Sequence, residues 1–303
     1  MHHVGTAILA SKATSLQTES FLVPICEGNH LTTISLSEPG SGVHFYLPRT
    51  NLKSIGPDEY QISGTKSFVT NGGQADSYVV STAATDASTS MANLSCVVVP
   101  AATNGLEWGK PWDGFGLRGS SSCSVTFAKS VIPKNYLLGT EGDQIWYVFQ
   151  VVSPYFMMAM AGVNLGIAGV AMEDTLAHLK KRTYAFDGSG PGCVSTVQHR
   201  LGCLYGRLEQ TRQLIYHAAH SYEVNGMEAM PLLMAAKAEV GDLVVEVTNE
   251  AMTLCGGKAY AANGRLARLM RDARAAHVIA PTTDTLRTWI GRTLLDLPLL
   301  GDG

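Results

Sequence analysis

Hydroxyls crowd one helix start near the end of this chain. In RDARAAHVIAPTTDTLRTWIGR, residues 271–292, Pro281 is followed by Thr282, Thr283, Asp284 and Thr285, just before an apolar helical pattern. A threonine there caps the helix by accepting from a first-turn amide, and the same amides, reinforced by the helix dipole, suit an anion. Asp284 fits either of two roles, an electrostatic cap or a proton acceptor. Arg182, closing the pattern HLKKR, is a cation at a helix C-terminus, which complements the dipole, and its planar fork also suits phosphate oxygens. Phe68 and Thr70, in ISGTKSFVTNGG, read by themselves as an alternating strand pair.

Two glycine-rich stretches imitate phosphate cradles. GFGLRG (114–119) satisfies G-x-G-x-x-G, but that turn works only between a strand and a helix whose amides hold a pyrophosphate. Here PWD precedes it and the β-like SSSCSVTF follows, so its glycines read as turn residues of a barrel. FDGSGPGC (186–193) follows a helix, not a strand, and reads as a flexible helix–helix connection.

Six cysteines, at 26, 96, 123, 193, 203 and 255, form no CxxC pair and have no histidine at zinc-ligand spacing. They read as reduced, mostly buried thiols of an intracellular protein, with no structural metal. A formal charge of −3 on 303 residues gives no electrostatic reason to expect nucleic acid. The first 30 residues lack the marks of a signal or transit peptide, so the expected location is the cytoplasm. Val151 to Met172 is apolar and long enough to span a bilayer, but it carries Ser153, Pro154, Gly162, Asn164, Gly166 and Gly169 between amphipathic segments. A buried bundle helix, not a membrane span, is the expectation.

The elements that must position these residues change texture along the chain. Residues 1–31 read as helix and connector, with Ile8, Leu9, Leu16, Phe21 and Leu22 too few for a core of their own. Residues 32–140 become short β-rich runs punctuated by Gly, Pro, Asn and Asp, as in an antiparallel barrel or sandwich. Residues 141–303 turn helical, with candidates at 142–183, 196–225, 229–255, 264–276 and 282–296. The fold class is therefore α+β: a partial N-terminal helical segment, a middle β-barrel and a C-terminal four-helix bundle.

Four segments, in order and with plausible gaps, make the chain resemble the acyl-CoA dehydrogenase family of flavoproteins over nearly its whole length. They are SLSEPGSG (35–42), ISGTKSFVTNGG (62–73), GLRGSSSCSVTFAKSVIPKNYLLG (116–139) and LCGGKAY (254–260) with LMRDAR (269–274). The resemblance implies FAD as cofactor and the same three-part fold, entered part-way through the N-terminal helical domain. It also implies contacts: Ser37 and Thr70 to the flavin ring, Phe68 packed on it, Arg182 and the helix-start Thr283 and Thr285 on the pyrophosphate. Gln198 would lie near the adenosine, and Gly256 and Gly257 would touch FAD across a subunit interface, so a homodimer or homotetramer is expected.

The chain departs from the family pattern where the reaction needs a base. The carboxylate that takes the α-proton of an acyl thioester stands, in many members, before the Gly-Thr of the turn, a position that falls on Pro281. In a second group it comes from the early bundle helix, here Phe156, followed by Met157. Both positions lack a carboxylate, and Asp284 is the nearest substitute. The turn after SEPGSG continues Val43-His44, and Thr253 precedes LCGG, which implies altered substrate recognition. Three functions follow: α,β-dehydrogenation of an acyl thioester on CoA or a carrier protein, passing electrons to a flavoprotein acceptor; a flavin monooxygenase fed by a flavin reductase; or a base-less subunit of a heteromeric dehydrogenase.

Overall fold

The computed structural model describes residues 1–84 and 94–301, which form two compact units. The first comprises Met1–Gly114 and Arg118–Phe156, the second Phe115–Leu117 and Met157–Gly303.

The first unit opens with α1 (His2–Ser11), α2 (Ser15–Gln17), a π-helical turn over Thr18–Leu22, and α3 (Val23–Cys26). α1 buries Val4, Gly5, Ile8 and Leu9, one face at i, i+4 spacing. Gly5 lies so close to the sheet that a Cβ there would meet Thr32 Cγ2 at 3.0 Å. With so few apolar residues, these helices are stable only on the sheet, as the sequence requires. Pro24 follows the π turn by two residues, and Pro154 likewise follows a second π turn at Tyr147–Val152, between α4 (Gln144–Trp146) and α5 (Ser153–Lys181). A proline ring crowds the carbonyl four residues back and offers no N–H, which favours a widened turn there.

Eight strands form the sheet: β1 (Thr32–Ser35), β2 (Asn51–Ser54), β3 (Glu59–Val69), β4 (Ser77–Ala84), β5 (Leu94–Pro100), β6 (Leu106–Trp108), β7 (Cys123–Pro133) and β8 (Leu137–Leu138). Their order is β6-β7-β3-β2-β4-β5-β8, with β1 also on β4. The expectation of a purely antiparallel arrangement is corrected: β1 and β2 both run parallel to β4. Alternating side chains report which face is buried but carry no information on strand direction. Inward residues such as Ile62, Tyr78, Val80, Val97, Val99, Phe127 and Ile132 make the core of this unit.

In the second unit α6 (Ser195–Glu223), α7 (Ala229–Cys255), α8 (Arg265–Ala273) and α9 (Thr283–Leu294) join α5. Ala168, Met172, Leu204, Leu208, Leu243, Val247, Leu266 and Leu269 pack in one cluster. The helix continuous from Gln144 to Lys181 is long and apolar enough to cross a membrane, and half of its most apolar stretch is buried within the protein. One further expectation fails. All six cysteines are free, but only Cys96 and Cys255 are buried, while Cys26, Cys193 and Cys203 are exposed. The last three lie on a short helix end, a 3-10 turn and a solvent face of α6, positions that composition does not reveal.

Candidate functional site

In the first unit, β3 loses its register with β7 between Lys66 and Val69, and the bulge turns Phe68 outward. Phe68 adopts φ +55° and is 65% exposed, its ring edge-on to Trp112 with centroids 5.7 Å apart. An ordinary alternating strand position is thereby ruled out. Phe68, Trp112, Lys110 and Ser122 line an open cleft. Ser37 stands at its edge, its carbonyl accepting from the Ser67 amide at 2.8 Å. Half-buried Thr70 begins the next turn, where the Asn71 amide bonds the Ser120 carbonyl at 3.1 Å.

A buried ion pair that sequence reasoning missed holds this edge in place. Lys66 Nζ, fully buried, donates to Glu38 Oε1 at 2.6 Å, Ser81 Oγ at 2.9 Å and the Leu36 carbonyl at 3.1 Å. Glu38 also accepts from the amides of Arg49 at 2.7 Å and Thr50 at 2.9 Å. Burial alone would raise Glu38, but Lys66 and the Thr50 amide outweigh it and hold the carboxyl below its usual range. Burial pulls Lys66 down to about 8 although Glu38 opposes the shift. The asymmetry has a cause: two amides solvate the carboxylate in addition to its partner, whereas the ammonium has one charged partner and two neutral ones.

In the second unit, α9 starts as the sequence suggests, with a division of labour among its threonines. Thr282 is the cap: its Oγ1 accepts from the Thr285 amide at 3.4 Å and lies 2.9 Å from Thr285 Oγ1. Thr285 is thus engaged within the cap. Thr283, only 6% exposed, keeps a buried Oγ1 with no hydrogen-bond partner. Gly241 of α7 lies beneath it; a Cβ there would stand 3.4 Å from that oxygen and 3.6 Å from His277 Cδ2. One turn earlier on the same face of α7, buried Lys237 donates to the carbonyls of Pro281 at 2.7 Å and Ile279 at 3.3 Å. Desolvation lowers it to about 8.

The two motifs GLRG and LMRDAR meet here. Asp272 Oδ1 accepts from the Leu117 amide at 2.7 Å, and a Cβ on Gly116 would come within 2.3 Å of the Arg271 carbonyl, so only glycine fits. Arg182, just past α5, is exposed. Gln198 is exposed too, its Nε2 donating to the Gly192 carbonyl at 2.9 Å and so pinning the loop before α6. Gly256, with φ +68°, ends α7, and a Cβ on it or on Gly257 would meet nothing within 4 Å.

Neither expected base position carries a carboxylate. Pro281 is buried behind a cis Ala280–Pro281 bond, Phe156 and Met157 are buried in α5, and residues 273–283 include no Asp or Glu. Asp284 is exposed in the first turn of α9. A cluster that sequence reasoning also missed lies nearby: Asp242 takes His277 Nε2 at 2.9 Å and Arg287 at 2.5 Å, and Arg287 reaches Glu239 at 2.9 Å. Arg287 and Glu239 fall one face apart on separate helices, and no local period announces such a pairing.

Taken within its own unit, the start of α9 suits an anionic group such as the phosphates that FAD carries. A buried hydroxyl without partner sits there, and the first amides of the helix have no acceptor within it; in the first unit, separately, the Phe68 ring stands exposed beside an open, mostly apolar cleft that suits a flat ring. Comparison with known proteins agrees. The acyl-CoA dehydrogenase middle-domain model matches residues 33–130 and the C-terminal-domain model residues 147–295. The short-chain specific mitochondrial acyl-CoA dehydrogenase of Bos taurus is 30% identical over 93% of this chain and 67% of its own length. The short-chain specific enzyme of Megasphaera elsdenii is 29% identical over 93% and 72%. Among solved structures, butyryl-CoA dehydrogenase from Megasphaera elsdenii superposes with a TM-score of 0.89 at 27% identity, covering 96% of this chain and 75% of that one. A chain in the structure of the electron transferring flavoprotein of Acidaminococcus fermentans gives 0.90 at 28%, covering 96% and 75%.

Proposed function

Because the chain belongs to the acyl-CoA dehydrogenase family, FAD-dependent oxidoreductases acting on CH–CH donors, we propose that it removes the α and β hydrogens of an acyl thioester on CoA or a carrier protein. The α-hydrogen leaves as a proton and the β-hydrogen with its electron pair, so the product is the α,β-unsaturated thioester. FAD, when bound, supplies the two-electron acceptor. The observation that carries the reading is the buried, unpartnered hydroxyl of Thr283 at the start of α9, which suits a phosphate oxygen.

The chain's own residues then divide the work. Thr283, with Arg182, holds the pyrophosphate, and Thr285, bonded to the Thr282 cap, can turn only its remaining hydroxyl capacity to it; Phe68, Ser37 and Thr70 flank the ring; Gln198 lies toward the adenosine. Gly256 and Gly257, where a Cβ would meet nothing within 4 Å, receive FAD from a neighbouring subunit of a homodimer or homotetramer. Asp284 is the only carboxylate between Asp272 and Asp296 and is assigned as the proton acceptor. A flavoprotein electron acceptor is supported by the likeness to the chain from Acidaminococcus fermentans, and a cytoplasmic setting by the bacterial relatives.

Purified chain mixed anaerobically with acyl-CoA should bleach its flavin absorption. Asp284→Asn should slow bleaching by roughly 100-fold or more, the usual contribution of a general base, while leaving the bound flavin in place. An unchanged rate removes Asp284 from the assignment. A second reading, a flavin monooxygenase fed by a reductase, is favoured by the lack of any carboxylate in 151–172 and 273–283. No bleaching, with O₂-dependent consumption of supplied reduced flavin, would select it. A colourless chain that takes up no FAD would leave the base-less subunit.

A further inference from the structure

Lys237 is 3% exposed, and among the described residues no carboxylate lies within ion-pairing distance of it. The acids on the elements packed against it are otherwise occupied or distant. Glu239 and Asp242 bind Arg287, and Asp242 also binds His277. Toward α6, Glu246 binds Arg207 and Glu250 binds Arg200. Asp284 is exposed on α9. What Lys237 does hold is the turn itself, through the carbonyls of Ile279 and Pro281.

An unpaired buried cation is costly: it gives up its proton more easily, as Lys237 does, and it gains from any anion that comes within reach. Four residues along the same face of α7, Gly241 packs under the unpartnered Oγ1 of Thr283, so α7 meets the start of α9 at two points: the ammonium on the carbonyls of the turn and the glycine beneath the hydroxyl. We propose that Lys237 is a positioning residue for the diphosphate of FAD: it fixes the 279–281 carbonyls so that the α9 amides face the cofactor, and its own charge is balanced by that diphosphate. The inference rests on the reading that α9 receives the pyrophosphate.

The charge state gives the test its handle. Burial brings Lys237 to about 8, so the free chain loses the proton as pH rises through that value. An anion that favours the protonated form binds tightest below it and progressively more weakly above it.

The full chain, stripped of flavin, is titrated with FAD from about pH 7 to about pH 9.5, following quenching of flavin fluorescence, with roughly fivefold or greater weakening expected across that range. Lys237→Met should bind more weakly at neutral pH, by a similar factor, and show a flat profile, while Lys237→Arg should restore tight binding without the break. A wild-type affinity independent of pH, which needs no variant to fold, overturns the proposal; so does a break that survives in Lys237→Met. If wild-type chain binds no FAD at any pH, the FAD reading of α9 itself falls, and this inference with it.

Discussion

Each unit of this chain buries one lysine, and burial brings both to about 8. Lys66 has Glu38; Lys237 has only carbonyls. In the first unit the charge is consumed internally, tying the SEPGSG turn to β3 at Lys66, where the register shift that precedes the outward-facing Phe68 begins. In the second it is left over, beneath a helix start with an idle hydroxyl. The same desolvation thus has opposite meanings, and the difference lies entirely in whether a carboxylate is within reach.

The sharpest way to break the comparison is to remove one partner of the pair. Glu38→Gln or Lys66→Met leaves an uncompensated buried charge and should cost about 3–5 kcal/mol of stability, read by denaturant unfolding, whereas the double change should cost clearly less than the sum. A loss under 1 kcal/mol for the single changes would make the two lysines equivalent.

The next effect is in pH. A lysine lowered from 10.5 to about 8 penalises folding below pH 8, and the penalty is relieved as pH climbs to the unfolded value. Each such lysine should therefore add up to about 3 kcal/mol of stability between pH 8 and 10.5. Lys237→Met should flatten the rise of its unit's unfolding free energy over that window relative to wild type. Glu38 works at the other end: held low, it stabilises above the ordinary carboxylate range, and that contribution fades as pH falls below it.

The smallest effect separates the threonines of α9. Thr282→Ala should cost about 1 kcal/mol in thermal unfolding through the lost cap. Thr283→Val, isosteric and already without a partner, should cost nothing or stabilise, while weakening FAD uptake in the fluorescence titration. Equal stability losses at the two positions would abolish the distinction between cap and ligand.

How far these assignments were readable beforehand depended on the distance along the chain over which each is decided. The bundle helices fell close to their expected bounds because a 3.6-residue period is local, and that a threonine would cap α9 followed from residue type, though not which threonine. Strand direction escaped, since alternation is the same for parallel and antiparallel neighbours. So did the Leu117–Asp272 bond, which spans 155 positions, and the Lys237–Pro281 bond, which spans 44. Gly116 was visible as a glycine of GFGLRG, but the Arg271 carbonyl that demands it was not.

The sequence by itself determined the order of elements, the motifs of a flavin-binding family, and the missing carboxylates at Pro281 and Phe156, because each is a matter of which residue stands where. Only the tertiary structure decided that Thr282 caps while Thr283 waits, that Phe68 faces outward, and that Lys66 is paired while Lys237 is not. Burial and partnership are properties of neighbours brought together from remote parts of the chain, and for a charged or hydroxyl group they set its chemistry.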